Sequence, residues 1–172
     1  MKPPILLKTI LDIAFYLLIA GIFFSIFFVV LIMLNSETFF IPINIDGAEI
    51  TEYTPSTIFL MLISMSFFVL FIFLVYYLRK LVRNFLKQDI FSKGQVKYLN
   101  RIGNLIIGIS VGKVVIDLLK NLFLENEISF GIEIGGDFGS FWFTLALGLF
   151  FIFLSQVFEK ARLLKEDNDL TV

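Results

Sequence analysis

Residues 56–78 read STIFLMLISMSFFVLFIFLVYYL, an apolar run that is followed at once by Arg79 and Lys80. About 20 mostly apolar residues carry a helix across about 30 Å of hydrocarbon, and this run has that length. Three more runs qualify, at residues 10–34, 102–124 and 141–158. The sequence therefore predicts an all-α integral membrane protein, a bundle of four transmembrane helices that forms one membrane domain over residues 1–172.

The composition supports a membrane protein and excludes much chemistry. Hydrophobic residues make up 58% of the 172 residues, and the mean hydropathy is +0.92. Soluble domains have roughly 45–50% apolar residues, so a single core could not bury the additional apolar residues of this chain. The chain has no Cys and no His, which excludes disulfides, thiol nucleophiles and metal centres built on those residues. We expect no catalytic residue, no metal, no cofactor and no enzymatic activity.

Basic residues are segregated along the chain. Residues 35–55 and 125–140 contain no Lys or Arg and carry acidic residues instead. Seven basic residues lie between the second and third spans: Arg79, Lys80, Arg83, Lys87, Lys93, Lys97 and Arg101. Basic segments resist translocation, so the pattern predicts cytoplasmic N and C termini and a cytoplasmic middle loop, in the cytoplasmic (inner) membrane.

The two outer loops have strand-like patterns. Asp46-Gly47 separates two extended segments, and residues 128–134 alternate between apolar and polar side chains. Asp-Gly between such segments is a hairpin signal. We predict a small extracytoplasmic β hairpin or sheet that caps the bundle. Two interpretations stay open: a lid over a ligand, or a cap that only pairs its own backbone.

The middle loop carries helix-start signals. Ser92 and Gln95 have capping-box spacing, with Phe91 and Val96 placed as a hydrophobic staple, which predicts that helix three begins near Lys93. Thr54 followed by Pro55 predicts the start of helix two, whose apolar stripe continues to about Lys87. Helices two and three are then longer than the hydrocarbon is thick and form a basic cytoplasmic stalk over residues 79–101. Its charges either fix topology and contact anionic headgroups or dock a partner.

The third span is the polar one. Lys113 and Asp117 are four residues apart, with Lys120 three further on, so all three share a helix face. A mid-bilayer Lys is costly, so we expect Lys113 to face the bundle and pair with Asp117. This pair is either a structural lock or an ion, proton or ligand site.

Two smaller patterns concern helix contacts. Gly108 and Gly112 have the spacing that lets transmembrane helices approach closely. Asp12 has Lys8 one turn away, and we expect the two to form an ion pair at the interface.

The acidic tail over residues 159–172 contains Glu166 and Asp169. We expect the tail to fold onto the basic stalk, to be captured by a partner, or to fray.

Three stretches together resemble a known family: DIFS at residues 89–92, VKYLNRIG at 96–103 and LKEDNDLTV at 164–172. With four spans and this length, the chain resembles the bacterial membrane family DUF2975, a domain of unknown function. The resemblance implies a small helix-turn-helix regulator encoded nearby. It supplies no catalytic residue.

Three functions compete. The first is a regulatory protein in the lipid bilayer that holds such a regulator through the stalk and tail, without binding nucleic acid directly. The second is a small transporter or channel using Lys113 and Asp117, for which a homo-oligomer would be needed. The third, an intramembrane enzyme, is disfavoured because no His, Cys or carboxylate pair faces the bilayer.

Overall fold

Four long helices account for most of the computed structural model, which describes residues 3–34, 43–45, 48–50, 54–87, 91–125 and 136–170. They are α1 (Pro3–Leu34), α2 (Pro55–Leu86), α3 (Lys93–Lys120) and α4 (Gly136–Leu170), and a π-helical turn, Asn121–Glu125, extends α3. The prediction of four helices long and apolar enough to cross a membrane is confirmed.

Local sequence signals set the helix starts. The Thr54 hydroxyl caps α2 by accepting a hydrogen bond from the Thr57 backbone N–H at 3.3 Å, with Pro55 at the first helical position. The Ser92 hydroxyl caps α3 by accepting from the Gln95 N–H at 3.3 Å. Both start predictions are confirmed, because each hydroxyl satisfies an N–H that the helix itself leaves without a partner.

A short antiparallel strand pair follows α1. The strands are β1 (Ile43–Ile45) and β2 (Ala48–Ile50), with Ile45 opposite Ala48. They flank the two-residue Asp46-Gly47 connection that the sequence singled out. A cap over the helices is not supported, because the described strands form only this two-stranded sheet, and residues 126–135 lie outside the described residues.

The helices pack in chain order as an open row: α1 on α2, α2 on α3, and α3 on α4. Within the described ranges, no other pair of helices has more than marginal contact. The prediction of a bundle is therefore corrected to a row. Lipid tails are as apolar as leucine, so a membrane helix need not bury its outer face against protein.

The closest approach in the row is between α3 and α4. A Cβ added to Gly103 would lie 2.6 Å from the Gly148 carbonyl oxygen and 2.6 Å from Cγ1 of Ile152. A Cβ on Gly148 would lie 3.0 Å from the Gly103 carbonyl oxygen. Real side-chain atoms do not fit at these distances, so the two backbones meet because both residues are glycine.

The predicted Gly108–Gly112 pair does not form one interface. Gly112 is buried under the Phe67 ring of α2, whereas a Cβ on Gly108 would meet nothing within 4 Å. Next along the α2–α3 contact is a core of Leu74, Ile102 and Ile106. The two glycines differ because a four-residue step rotates a straight α-helix by about 40°, which carries Gly108 off the contact face.

Helix α1 is the least buried of the four. Only 6% of its most apolar stretch is buried, against 11% for α4, the helix at the other end of the row. An open apolar groove of about 340 Å³ lies along the α1–α2 contact, lined by residues that include Phe24, Phe28, Met61 and Ser64.

Candidate interaction surface

One end of the row carries most of the charge. We call it the basic end: α1 and α3 begin there, and α2 and α4 end there. The seven basic residues singled out by the sequence lie at this end and fall into two groups. An edge group comprises Arg79, Lys80 and Arg101, and a distal group comprises Arg83, Lys87, Lys93 and Lys97.

Arg79 ties α2 to α1. Its Nε donates to Oδ1 of Asp12 at 2.6 Å, and its Cζ lies 4.3 Å from the centre of the Phe15 ring. The predicted Lys8–Asp12 pair is therefore wrong about the partner, since Asp12 pairs across the helix contact. A guanidinium can donate to a carboxylate and stack on an aromatic face at the same time, which an ammonium on the same helix does less well.

The other two edge residues contact tyrosines. The Lys80 ammonium lies 4.9 Å from the centre of the Tyr76 ring and 5.9 Å from that of Tyr98. Arg101 donates to the Tyr77 hydroxyl, and its guanidinium carbon lies 5.1 Å from that ring. These contacts give the edge group structural partners at the level where tyrosines are typical of a membrane interface.

The distal group is different. All four of its side chains are exposed, and none makes an ion pair with another described side chain. These four lysine and arginine side chains therefore form the part of the basic end that is open to a partner or to lipid headgroups.

Helix α4 runs along the start of α3. The Ser155 hydroxyl donates to the Val96 carbonyl at 3.2 Å, and the Phe91 and Phe158 rings lie 5.7 Å apart. Through Leu170 the tail is a continuous helix, so it is neither frayed nor folded back over this range, and its capture by a partner stays a prediction. Helix α4 therefore adds to the two helices of the predicted stalk at the basic end.

One expectation for the loop before α3 is corrected. Gln95 is only 2% exposed, and its amide donates to the Leu81 carbonyl of α2 at 3.4 Å instead of completing the capping box. Packing of α3 on α2 therefore takes this side chain away from the local motif. The Phe91 ring lies 5.7 Å from the Phe158 ring of α4, and its staple with Val96 stays a prediction.

Sequence reasoning missed a charge cluster on α4. Arg162 is 7% exposed, and its Nε and Nη2 lie 2.9 and 2.7 Å from the two Glu159 carboxylate oxygens. Its Nη1 donates to Glu166. The guanidinium lowers the pKa of the Glu159 carboxyl, which follows the apolar run. The spacing of these three residues, three and four apart, was the available signal.

Beyond Arg162, α4 continues for eight residues, about 12 Å at 1.5 Å per residue. Leu163 and Leu164 are exposed there, Leu164 by 70%. Glu166 and Asp167 are exposed as well, while the side chain of Asp169 lies outside the described residues. This projecting segment, residues 163–170, combines apolar and acidic residues at the same end of the row as the distal basic group.

The intramembrane residues of α3 do not meet their expectation fully. Lys113 is exposed in the single chain and does not face a closed bundle, and Asp117 and Lys120 are half-buried. Whether Lys113 and Asp117 act as a pair stays a prediction. Among the residues that the structure describes, no group of His, Cys, Asp or Glu could hold a metal ion.

Four apolar helices and a charged helical end define a multi-pass membrane protein. The chain belongs to the family DUF2975, described as a protein of unknown function, which it matches over residues 43–172. The match runs from β1 to the end of the chain and does not include α1. Comparisons with curated proteins and with solved structures found no match.

Proposed function

We propose that this protein is a regulatory membrane protein whose basic end lies in the bacterial cytoplasm and holds a small helix-turn-helix transcription factor. The single observation that carries the proposal is the projecting segment, where a continuous helix presents exposed leucines and acids beyond the membrane contacts. Exposed leucines on a helix are anchors that a partner can cover.

The orientation proposal rests on charge. Loops 35–55 and 125–140 contain no Lys or Arg, and seven basic residues lie at the opposite end. The positive-inside rule then puts the basic end in the cytoplasm. A regulator that binds DNA can meet the membrane protein only on that side.

The division of the basic residues supports separate roles. The edge group has partners within the chain and suffices to keep orientation, because charge next to the apolar run dominates topology. None of the distal side chains forms an ion pair with a described residue, although Lys93 acts at longer range on the Glu159 carboxylate. We infer that the other three charges, on Arg83, Lys87 and Lys97, act on something outside the chain. Charged surfaces around a docking site speed association and make it salt-dependent.

The test uses two variants of the full chain. One reverses three distal charges, Arg83→Glu, Lys87→Glu and Lys97→Glu. The other replaces both exposed leucines, Leu163→Ser and Leu164→Ser. Lys160→Ala, an exposed change on the same helix before Arg162, is the matched control. Insertion is checked first by labelling Asp46→Cys and Lys160→Cys singly in intact cells, which the lack of native cysteine allows.

We expect both variants to insert normally, to lose co-purification with the neighbouring regulator and to change expression of its target genes. Lys160→Ala should behave as wild type, and residual binding of the charge variant should respond less to salt. Correctly inserted variants that still bind and regulate normally would contradict the proposal. The distal charges would then serve only to set the topology and to contact lipid headgroups. External labelling at position 160 would contradict the orientation.

The alternative of a channel or transporter at Lys113 and Asp117 is less favoured. An open row of four helices has no central axis around which a path can form, so several copies would have to supply one. This alternative predicts ion or solute flux that is lost when Asp117 is changed to Asn, with the projecting segment dispensable.

A further inference from the structure

One exposed strip of α3 repeats with the spacing of a coiled coil. Its members recur at alternating steps of four and three residues, which places them on one helix face. All five are exposed in the single chain, and we call them the α3 seam: Asn104, Gly108, Val111, Val115 and Leu118. Neither α2 nor α4 covers this face, although both pack on α3.

The chemistry of the seam differs from that of the other exposed faces. Helix α1 exposes Phe23 and Phe27, and α4 exposes Phe143 and Phe153. The seam has no aromatic side chain and contains one glycine and two β-branched valines. Small residues are enriched where transmembrane helices pack on each other, because they let the backbones approach.

Gly108 has no packing role within the chain. Gly103, Gly112 and Gly148 each lie where a Cβ would collide with a neighbouring helix, but a Cβ on Gly108 would meet nothing within 4 Å. Glycine weakens a helix interior relative to alanine. A helix from another copy could approach α3 closely at Gly108, as the neighbouring helices approach the chain at the other three glycines.

Asn104 is the polar member of the seam. It lies in the first turn of the apolar run after Arg101, and its amide nitrogen donates to Oδ1 of Asn100 at 3.2 Å. An asparagine amide has two N–H groups and a carbonyl oxygen, so the bond to Asn100 leaves a second N–H and the oxygen able to bond further. An amide complements itself, since the donor of one copy meets the acceptor of another. A single Asn in a coiled-coil seam is also a residue that fixes register and the number of helices.

We propose that two copies of this chain associate through the α3 seam about a two-fold axis normal to the membrane. The axis makes the two α3 helices parallel, so Asn104 hydrogen-bonds to its counterpart and Gly108 lies against Gly108. The partner is a second copy because the seam is complementary to itself, as an interface on a two-fold axis must be.

The experiment places the full chain in phosphatidylethanolamine–phosphatidylglycerol vesicles and counts subunits by single-molecule photobleaching across protein densities. We expect wild type to form dimers. Asn104→Leu and Gly108→Leu should each weaken dimerisation at least tenfold. Val30→Leu is the matched control, because Val30 and Val111 are both 47% exposed and Val30 lies on α1, away from the seam. Helical content and solubility confirm that each variant is folded.

Oxidative cross-linking gives an independent readout. Val111→Cys on the seam should form a disulfide-linked dimer, and Val30→Cys on α1 should not. Wild-type chains that stay monomeric at all densities would overturn the proposal. So would Asn104→Leu and Gly108→Leu variants that dimerise as wild type, or equal cross-linking at positions 30 and 111.

Discussion

The two outer contacts of the row are built in opposite ways. Helices α3 and α4 meet backbone to backbone, with Gly103 and Gly148 at the crossing and a hydrogen bond from Ser155 to the Val96 carbonyl. Helices α1 and α2 meet at one end through Arg79 and Asp12, and further along their contact lies an open apolar groove of about 340 Å³.

The difference teaches where each contact is vulnerable. The α3–α4 contact depends on Gly103 and Gly148 having no side chain, so a side chain added at either position disrupts it. The α1–α2 contact depends on two charged groups being present, and a missing charge only loosens it. The family match covers α3 and α4 and begins after α1, so the closer of the two contacts is the one inside the matched region.

The largest expected effect comes from filling the glycine crossing. Gly103→Leu puts a side chain where a Cβ already lies 2.6 Å from the Gly148 carbonyl oxygen, so α3 and α4 must separate. Overpacking of this kind costs about 3 kcal/mol. Reversible unfolding of the monomer in detergent measures the free energy, with Gly108→Leu on the same helix as control. Equal stability of the two variants would show that the contact is not close.

A smaller and local effect is expected at the charged end of the α3–α4 contact. Arg162→Ala leaves the Glu159 and Glu166 carboxylates about two turns apart on α4 without the guanidinium between them. We expect faster amide hydrogen exchange over residues 159–170 and unchanged exchange at the glycine crossing. Lys160→Ala should exchange as wild type. Uniform loosening of α4 in the Arg162 variant would mean that the two parts of the contact are one unit.

The smallest effect is expected at the α1–α2 contact. Asp12→Asn removes an ion pair whose side chains are 22% and 32% exposed, and such pairs contribute about 0.2–1 kcal/mol. The Phe15 ring still holds the guanidinium, so α1 should loosen without unfolding. The same detergent unfolding gives the magnitude. Lys8→Ala is the control and should not change the free energy of unfolding. A larger loss of stability from Lys8→Ala than from Asp12→Asn would support the Lys8–Asp12 pair that the sequence predicted.

The sequence predicted what is decided within one helix. Apolar run lengths predicted four helices, and Thr54-Pro55 and Ser92 predicted two starts, because these signals act over a few residues. It did not predict the open row or which glycines cross. Gly103 and Gly112 both face neighbours while Gly108 does not, and that depends on the rotation of α3 against two other helices.

The candidate surface was predicted in part for the same reason. The charge pattern identified all seven basic residues, but their division into edge and distal groups depends on tyrosines and on Asp12 from elsewhere in the chain. Arg162 was missed because its burial is visible only in the folded chain, although its spacing from two glutamates was visible in the sequence.

The thin attachment of α1 has a consequence for how the protein is made. Helix α1 is synthesised before α2, and so little of it is buried that lipid alone can house it while the rest of the chain is still on the ribosome. Arg79 follows the whole apolar run of α2, so the guanidinium that pairs with Asp12 is synthesised only after that run is complete. The ion pair that ties α1 to α2 therefore cannot form until the whole of α2 has been synthesised.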